Sequence, residues 1–296
     1  MSTSIPTSHV QSYARMASLV FQRPGQFLKE AVRFEGGIVG KSHTFQKIGS
    51  GVATTKARHG NVVPMDLDHT APVVSLVDFY APEYVAPTDI SRILHDEKSA
   101  VMTSGLYALG RKIDDQIIAQ LNATTQSTIT VVVTSAAAVR NGLLELLEAL
   151  DDNDVPNDGQ RYGVLTPRQW SQAMTVEEFA SSDYVGSDGM AFTKGSAIHA
   201  QWKAWNGCLW KQHAALPGKG GATANCYVWH KNAIGYAAGA LEANVSASDT
   251  VAARVDWVPE KYEWLVNHVM SGEAIAIDDL GIIEGVSNDT TAIATT

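Results

Sequence analysis

The side chains of this 296-residue chain that could do chemistry are carboxylates, histidines, two cysteines and a group of tryptophans. The turn Asp154-Val155-Pro156-Asn157-Asp158-Gly159 has the front of a calcium loop, in which alternate oxygens surround a hard cation. It departs from that loop twice. Pro156 stands where an oxygen ligand is needed, and the twelfth position is Leu165 instead of a bidentate glutamate. Asp66, Asp68 and His69 carry ligating groups, but in a segment that reads as an extended turn with no second cluster, so a solvated hairpin tip is the better reading. "GLYALGRK" from Gly105 has the glycine spacing of a phosphate loop without its Gly-Lys-Ser/Thr, and it lies inside a helical pattern. "PGKGGATAN" from Pro217 fits no phosphate fingerprint and reads as a flexible surface loop.

The other histidines (His95, His199, His213, His230, His268) lack HExxH-type spacing, and no Gly-x-Ser-x-Gly elbow is present. Cys208 and Cys226 fit no metal or redox spacing, and so sparse a pair suits a reducing compartment. Trp202, Trp205 and Trp210 alternate with polar residues, which suits stacking of bases or sugars but suits a sheet face better. Nothing in this set requires an enzyme, and no catalytic, cofactor-binding or metal-binding residue is assigned.

Composition narrows the class. The net charge of −9 argues against a generic nucleic-acid-coating protein. The charge is unevenly placed: the chain through Asn61 carries +6 and the remainder −15. A basic arm on an acidic body suits docking onto copies of itself, and equally suits facing DNA. No run of about 18 apolar residues exists, so no transmembrane helix is expected. The N-terminus is polar and lacks a signal-peptide core.

The elements that must position these residues can be read in order. Ser8 to Gln22 has the pattern of a short amphipathic helix, stopped by Pro24-Gly25 and too short to stand alone in water. Ala31 to Tyr84 is rich in Gly, Thr, Val and His, with strand-like pieces at Ala31–Phe34, Thr44–Ile48 and Val73–Phe79. About fifty residues with no evident core of their own point to a long β-hairpin reaching off the body. Each leg could extend up to roughly 70 Å at about 3.3 Å per residue, enough to cross a neighbouring subunit. Pro87-Thr88-Asp89 then starts the longest helix, ending near Asn122, with Thr88 or Asp89 as its cap. Roughly 34 residues at 1.5 Å each give a spine of about 50 Å. Leu94, Val101, Leu106, Leu109, Ile113, Ile117 and Leu121 supply its buried stripe, while Gly105 and Gly110 imply close packing against it.

Ile129–Val133 reads as a strand leading through Thr134-Ser135 into a helix whose Leu143, Leu146, Leu147 and Leu150 form one apolar stripe. Asp151 to Asp154 and Pro156 end it, Tyr162–Leu165 is a short buried strand, and Thr166-Pro167 starts a new helix running on to Glu177–Ser182. "SSDYVGSDGM" reads as loop. "CYVWHKNAIGYAAG" reads as a strand running into small residues. Val251–Val258, Tyr262–Met270 and Glu273–Ile277 read as strands broken by Pro259-Glu260 and Ser271-Gly272, and the tail after Val286 as frayed.

Taken together, "DFYAPEYVAPTDISRI", "ALGRKIDDQIIAQL", "LDDNDVPNDGQRYGVLTPRQW", "NGCLWKQHAALP" and "YVWHKNAIGYAAG", in that order, resemble the major capsid proteins of tailed phages, with a podovirus-like flavour. The resemblance covers almost the whole chain and implies an α+β fold of the Hong Kong 97 type. It implies an N-terminal arm over 1–30, an extended loop over 31–86 and a peripheral domain with its spine helix over 87–134. It places an axial domain over 135–239, and return strands with the C-terminal tail over 240–296. It also implies self-assembly into hexamers and pentamers of an icosahedral shell enclosing phage double-stranded DNA non-specifically. A scaffolding protein, a portal and a decoration protein are its implied partners. No membrane is involved; the place is the virion, assembled in the bacterial host cytoplasm. The chain lacks the roughly 100-residue prodomain of some relatives, and Met1 favours a separate scaffolding protein. Lys41, Lys47, Lys56 and Arg58 are the expected inter-subunit charge contacts, against a reading as solubilising charges. Two other readings compete. One is an encapsulin-like nanocompartment shell of the same fold; the other is a soluble hydrolase or carbohydrate-binding protein using the tryptophans.

Overall fold

Two sheets, each crossed by one main helix, share a core at their junction. The computed structural model describes residues 22–90, 97–180, 202–241, 246–247 and 250–292. The expected helix Ser8–Gln22, all but its last residue, lies outside the described residues, as do Leu94 and the loop "SSDYVGSDGM".

After a 3-10 turn at Lys29–Ala31 come strands β1 (Arg33–Ile38), β2 (Ser42–Thr44), β3 (Lys47–Ile48), β4 (His69–Thr70), β5 (Val73–Ser75), β6 (Val77–Tyr80) and β7 (Glu83–Val85). Helices α1 (Pro87–Ile90) and α2 (Glu97–Leu121) follow, then β8 (Ile129–Val131), α3 (Ala136–Asp152), β9 (Arg161–Leu165), α4 (Pro167–Ala173) and α5 (Glu177–Ala180). The last third holds β10 (Lys203–Trp205), β11 (Cys208–Gln212), β12 (Ala224–His230), β13 (Ile234–Gly239), β14 (Ser246–Ala247), β15 (Ala252–Val258), β16 (Glu263–Ala276) and β17 (Ile282–Ser287).

The seven-stranded sheet runs β1-β13-β16-β15-β14, with β6 and β7 also paired to β16. Both ends of the Ala31–Tyr84 stretch are therefore woven into the body: β1 lies parallel to β13, and β6 and β7 antiparallel to β16. The free-standing hairpin is shorter than the sequence suggests, and its root has a small core. Phe45 and Val74 are buried with Ala237 and Ile277. Gly235 leaves the space for the Phe45 ring, since a Cβ there would stand 2.7 Å from it.

Helix α2 lies along β16. Its Leu109, Ile113, Ile117 and Leu121 are buried as the periodicity predicts, but Leu106 is 38% exposed. The two glycines explain themselves. A Cβ on Gly105 would collide with the His268 ring at 2.3 Å, and Gly110 carries the backbone of Gly25 against it. Helix α1 begins at Pro87, so Thr88 and Asp89 fall inside its first turn instead of before it, which suits a proline at the first helical position. The far end of α2 is clasped by Asp279, whose carboxylate accepts from the Thr125 N–H at 3.1 Å and from Gln126 Nε2 at 3.2 Å. These bonds hold its carboxyl below the usual range: burial pushes it up, but hydrogen bonds from Thr125, Thr124 and Gln126 outweigh that.

The six-stranded sheet runs β10-β11-β9-β12-β17-β8 and carries α3. Val139, Leu143, Leu146, Leu147 and Leu150 are buried on it. Ser135 caps α3 by accepting the Ala138 N–H, and Thr166 caps α4 in a capping box with Gln169. Three expectations fail here. Glycine 272 does not break β16; it pairs with Ala238 and Val77, and a Cβ would meet the Tyr236 hydroxyl at 2.7 Å. "PGKGGATAN" is a set of closed turns, not a free loop: Gly221 N–H bonds Gly218 O, and Asn225 N–H bonds Pro217 O. The tail does not fray at Val286, because β17 runs to Ser287, Asp289 accepts the Gly220 N–H at 3.1 Å, and Arg168 Nε donates to Thr291 O at 3.0 Å.

Candidate assembly surface

The hairpin is built outward from a firm root. Ladder pairs His43↔Val74 and Ile48↔His69 close the base, and the Phe45 N–H donates to Pro72 O at 3.0 Å. Further out the legs are tied by Gly49 N–H to Asp68 O at 2.7 Å and by the Thr54 hydroxyl to Val63 O at 3.0 Å. The tip turns at Gly60, whose N–H donates to Ala57 O. Between root and tip the apolar side chains find no core: Val52 is 82% exposed and Val62 71%. Val63 and Met65 are exposed as well. A monomer gains nothing from displaying such a strip.

The four expected contact residues do not form one patch. Lys56 and Arg58 stand exposed at the tip. Lys41 is exposed at the root, where its carbonyl accepts the Leu76 N–H. Lys47 pairs within the subunit, Nζ to Asp278 Oδ1 at 2.8 Å, so the hairpin's root is pinned to the turn before β17.

Sequence reasoning did not single out the second seam, where the N-terminal segment crosses α2. Arg23 pairs with Asp115 at 3.3 Å, Arg111 Nη1 reaches Gln22 Oε1 at 2.9 Å and Arg23 O at 3.1 Å, and the Gln26 N–H donates to Gly110 O. Leu28 is fully buried, and its N–H donates to Asp114 Oδ1 at 3.1 Å. The only sequence signal for this seam was Gly110, a helix glycine in need of a neighbour.

The chemical candidates resolve into structure. Arg161, itself buried, fills the acidic turn: Nε donates to Pro156 O at 3.1 Å, and Nη2 to Val155 O and to Asp151 Oδ1. The carbonyls that could face a cation already face a guanidinium. Among the described residues no three His, Cys, Asp or Glu side chains cluster as a metal site would need. Cys208 and Cys226 are buried free thiols, and burial pushes Cys226 up to about 12 and Cys208 higher still. Trp210 is fully buried, Trp205 packs on the same core, and Trp202 packs beside Tyr162. Trp210 is core, and Trp202 and Trp205 are partly buried against it and its neighbour cluster, as a sheet face would have them. A cavity of about 420 Å³ opens between β7 and α2, walled by Tyr84, Val85, Val101, Gly105 and Ala108. Among the described residues no helix is long and apolar enough to cross a membrane.

Residues 5–287 match the family model described as phage capsid protein. No curated protein sequence matches significantly. Among solved structures, the capsid of cyanophage P-SCSP1u aligns over 97% of this chain and 95% of its own, with a TM-score of 0.70 at 14% identity. The capsid of Ralstonia phage GP4 aligns over 97% of both chains, with a TM-score of 0.69 at 10% identity. A Mycobacterium phage Che8 chain aligns over 96% of this chain and 98% of its own, at 0.64 and 17% identity. At these identities the likeness is one of fold.

Proposed function

We infer the role of this chain from one premise: it belongs to the phage capsid protein family. Its architecture is the Hong Kong 97-type capsid fold. It is a major capsid protein, and copies of it build the icosahedral shell of a virion. Hexamers and pentamers are the building units, and the shell encloses double-stranded DNA. Assembly takes place in the host cytoplasm, with a scaffolding protein, a portal and a decoration protein as partners.

The observation that carries the assembly reading is the hairpin between Gly49 and Asp68. It leaves Val52, Val62, Val63 and Met65 in water on a strip that, among the described residues, is tied to the body of its own subunit at the root. Burying apolar surface is worth about 25 cal/mol per Å², so this strip favours lying across a neighbouring subunit. Residues 31–86 act as the extended loop, 1–30 as the arm, 87–134 with α2 as the spine region, 135–239 as the axial domain and 240–296 as the return. Sheet membership crosses these bounds, since β8 and β17 lie in the six-stranded sheet and β13 in the seven-stranded one. Lys56 and Arg58 meet acidic surface of the neighbour, and Lys41 serves at the root; Lys47 is the exception, already neutralised by Asp278. The role is structural and not catalytic.

The test is electron microscopy of the purified full-length chain and of a variant lacking residues 52–65. Closed shells or capsomers from the intact chain and dispersed subunits from the variant support the reading. Shells of equal yield from both would sink the role given to the hairpin. An intact chain that stays monomeric under every condition would sink the assembly reading itself.

A further inference from the structure

The seven-stranded sheet carries α2 on one face and the root of the hairpin on part of the other. Along β16 the side chains alternate between these two faces. Val266, His268 and Met270 are buried on the α2 side, where Gly105 stands against the His268 ring and Met270 joins the core of Leu109 and Ile113. Leu265, Asn267, Val269, Ser271, Glu273 and Ile275 take the other face. At the Ile275 end that face is filled. Phe45, Val74 and Leu76 of the hairpin root pack there with Ala237, Ile275 and Ile277.

The Leu265 end is open. Tyr80 pairs with Val269 across the ladder and Tyr84 with Leu265, so all four share the face. Tyr80 is 61% exposed and Tyr84 40%, while Leu265 and Val269 are only partly buried. Exposed aromatic side chains beside aliphatic ones are the kind that anchor protein interfaces.

The charges on this end are mostly acidic. Register puts Asp78 beside Ser271, Arg254 beside Asn267, Asp256 beside Leu265, and Glu263 beside Val258. Glu260 and Lys261 lie in the turn that joins β15 to β16. Arg254 and Asp256 pair with each other at 2.8 Å, and Lys261 lies over the Tyr84 ring at 3.8 Å. Asp78, Glu260 and Glu263 then outnumber Lys261 by two. Glu83 and Lys98 belong to the α2 side, at the cavity and over the Trp264 ring.

The free hairpin is polarised to match. Its tip carries Lys56 and Arg58, with Asp66 and Asp68 nearer the root and the exposed Val52, Val62, Val63 and Met65 between. From Gly49 to Gly60 it reaches about 36 Å at about 3.3 Å per residue, while the open face from Ser271 to Glu263 is about 26 Å long. One hairpin can therefore cover it.

We propose that Tyr80, Tyr84, Leu265 and Val269, with Glu260 and Glu263 at their rim, form the seat for the free hairpin of a second copy of this chain. The root of each hairpin already fills one end of this face in its own subunit, and the neighbour's hairpin completes the other end with the same kind of side chain. Lys56 and Arg58 arrive at the β15–β16 turn, where Glu260 and Glu263 set the register by charge. The seat rests on the reading of the chain as a shell protein whose hairpin crosses a neighbour.

The experiment is a charge swap in the full-length chain, read by electron microscopy and sedimentation. Glu260→Lys with Glu263→Lys is expected to cut the yield of assembled particles at least several-fold, matching Lys56→Glu with Arg58→Glu. All four changes in one chain should return most of the wild-type yield, because every tip then meets a seat of opposite sign. A chain with all four changes that assembles no better than either pair overturns the seat. In parallel, a carbodiimide that joins touching amines and carboxylates is applied to wild-type particles and to unassembled subunits. A Lys56 peptide joined to Glu260 or Glu263 in particles alone supports the seat. A Lys56 peptide joined elsewhere, or to nothing, overturns it and gives the face to another occupant, such as a decoration protein or a second sheet. Should the Glu260/Glu263 variant not fold, this wild-type map decides. A wild-type chain that forms no particles overturns the shell reading and the seat with it, whereas particles without rescue or cross-link overturn the seat alone.

Discussion

Arg161 and Asp151 meet at 2.6 Å with opposite surroundings: the guanidinium side chain is 1% exposed, the carboxylate 62%. Arg161 also supplies the Val155 and Pro156 carbonyls, so it is the hub that closes the turn between α3 and β9. Replacing the buried partner should therefore cost far more than replacing the exposed one. Arg161→Met is expected to destabilise by about 2–3 kcal/mol, since it removes every hydrogen bond that a buried guanidinium makes to the turn, to Asp151 and to the Val155 and Pro156 carbonyls. Asp151→Asn should cost about 1 kcal/mol or less. Urea unfolding of unassembled subunits checks both, and equal losses would show that the ion pair, not the carbonyl bonds, dominates.

The crossing of Gly25 over Gly110 leaves no room for a methyl group. A Cβ on Gly25 would stand 1.8 Å from the Gly110 carbonyl carbon, which is backbone and cannot swing aside. Gly25→Ala is expected to lose about 1–3 kcal/mol. Gly60→Ala, where the nearest atom to the new Cβ is 3.5 Å away, should stay within about 0.5 kcal/mol. Thermal melts of the two variants separate a packed crossing from a general intolerance of added methyls.

Charge reversal at the hairpin tip should leave the subunit intact and affect its association. Lys56→Glu with Arg58→Glu is expected to unfold with the wild-type midpoint while the yield of assembled particles falls at least several-fold. Lys47→Glu should instead loosen the root by putting like charges beside Asp278, detected as faster proteolysis between β3 and β4. Full assembly of the tip variant would make Lys56 and Arg58 solubilising charges only.

The Asp279 clasp sets one pH dependence with a defined sign. A carboxyl held low in the folded state adds stability above its unfolded value, about 3.9, and that contribution is lost as pH falls through the folded value. The stability gap between wild type and Asp279→Asn should thus be full at pH 7 and shrink below about pH 4. Denaturant titrations at pH 7, 5 and 3 measure it. A gap that widens in acid would mean that the clasp acts through the neutral carboxyl.

Both thiols should be silent in the native protein. Burial holds Cys226 at about 12, and Cys208 above it, so almost no thiolate exists at pH 8. Iodoacetamide followed by mass measurement should find neither site labelled until denaturant is added. Labelling of Cys226 in the folded chain would place it nearer solvent than its burial between α3 and β17 allows.

What the sequence determined was local, because local signals depend on near neighbours. The leucine stripe of α3 and its Ser135 cap, the Thr166-Pro167 start of α4 and the short strand before it are set within a few residues. The order of such pieces was enough to suggest the family. Only the tertiary structure decided the rest. Ser271-Gly272 reads locally as a turn, yet Gly272 stays in β16 because the Tyr236 hydroxyl needs its missing Cβ. Asn206-Gly207 is a turn dipeptide between β10 and β11, with both residues at positive φ, although it sits inside a tryptophan-rich run whose alternation reads as one sheet face. Asp289 and Thr291 look like tail until Gly220 and Arg168 are brought to them. The contact between Asp114 and His213 joins residues nearly a hundred positions apart, and no periodicity records such a distance. A sequence states what each residue prefers beside its neighbours; which distant residues become neighbours is fixed only when the two sheets bury one core.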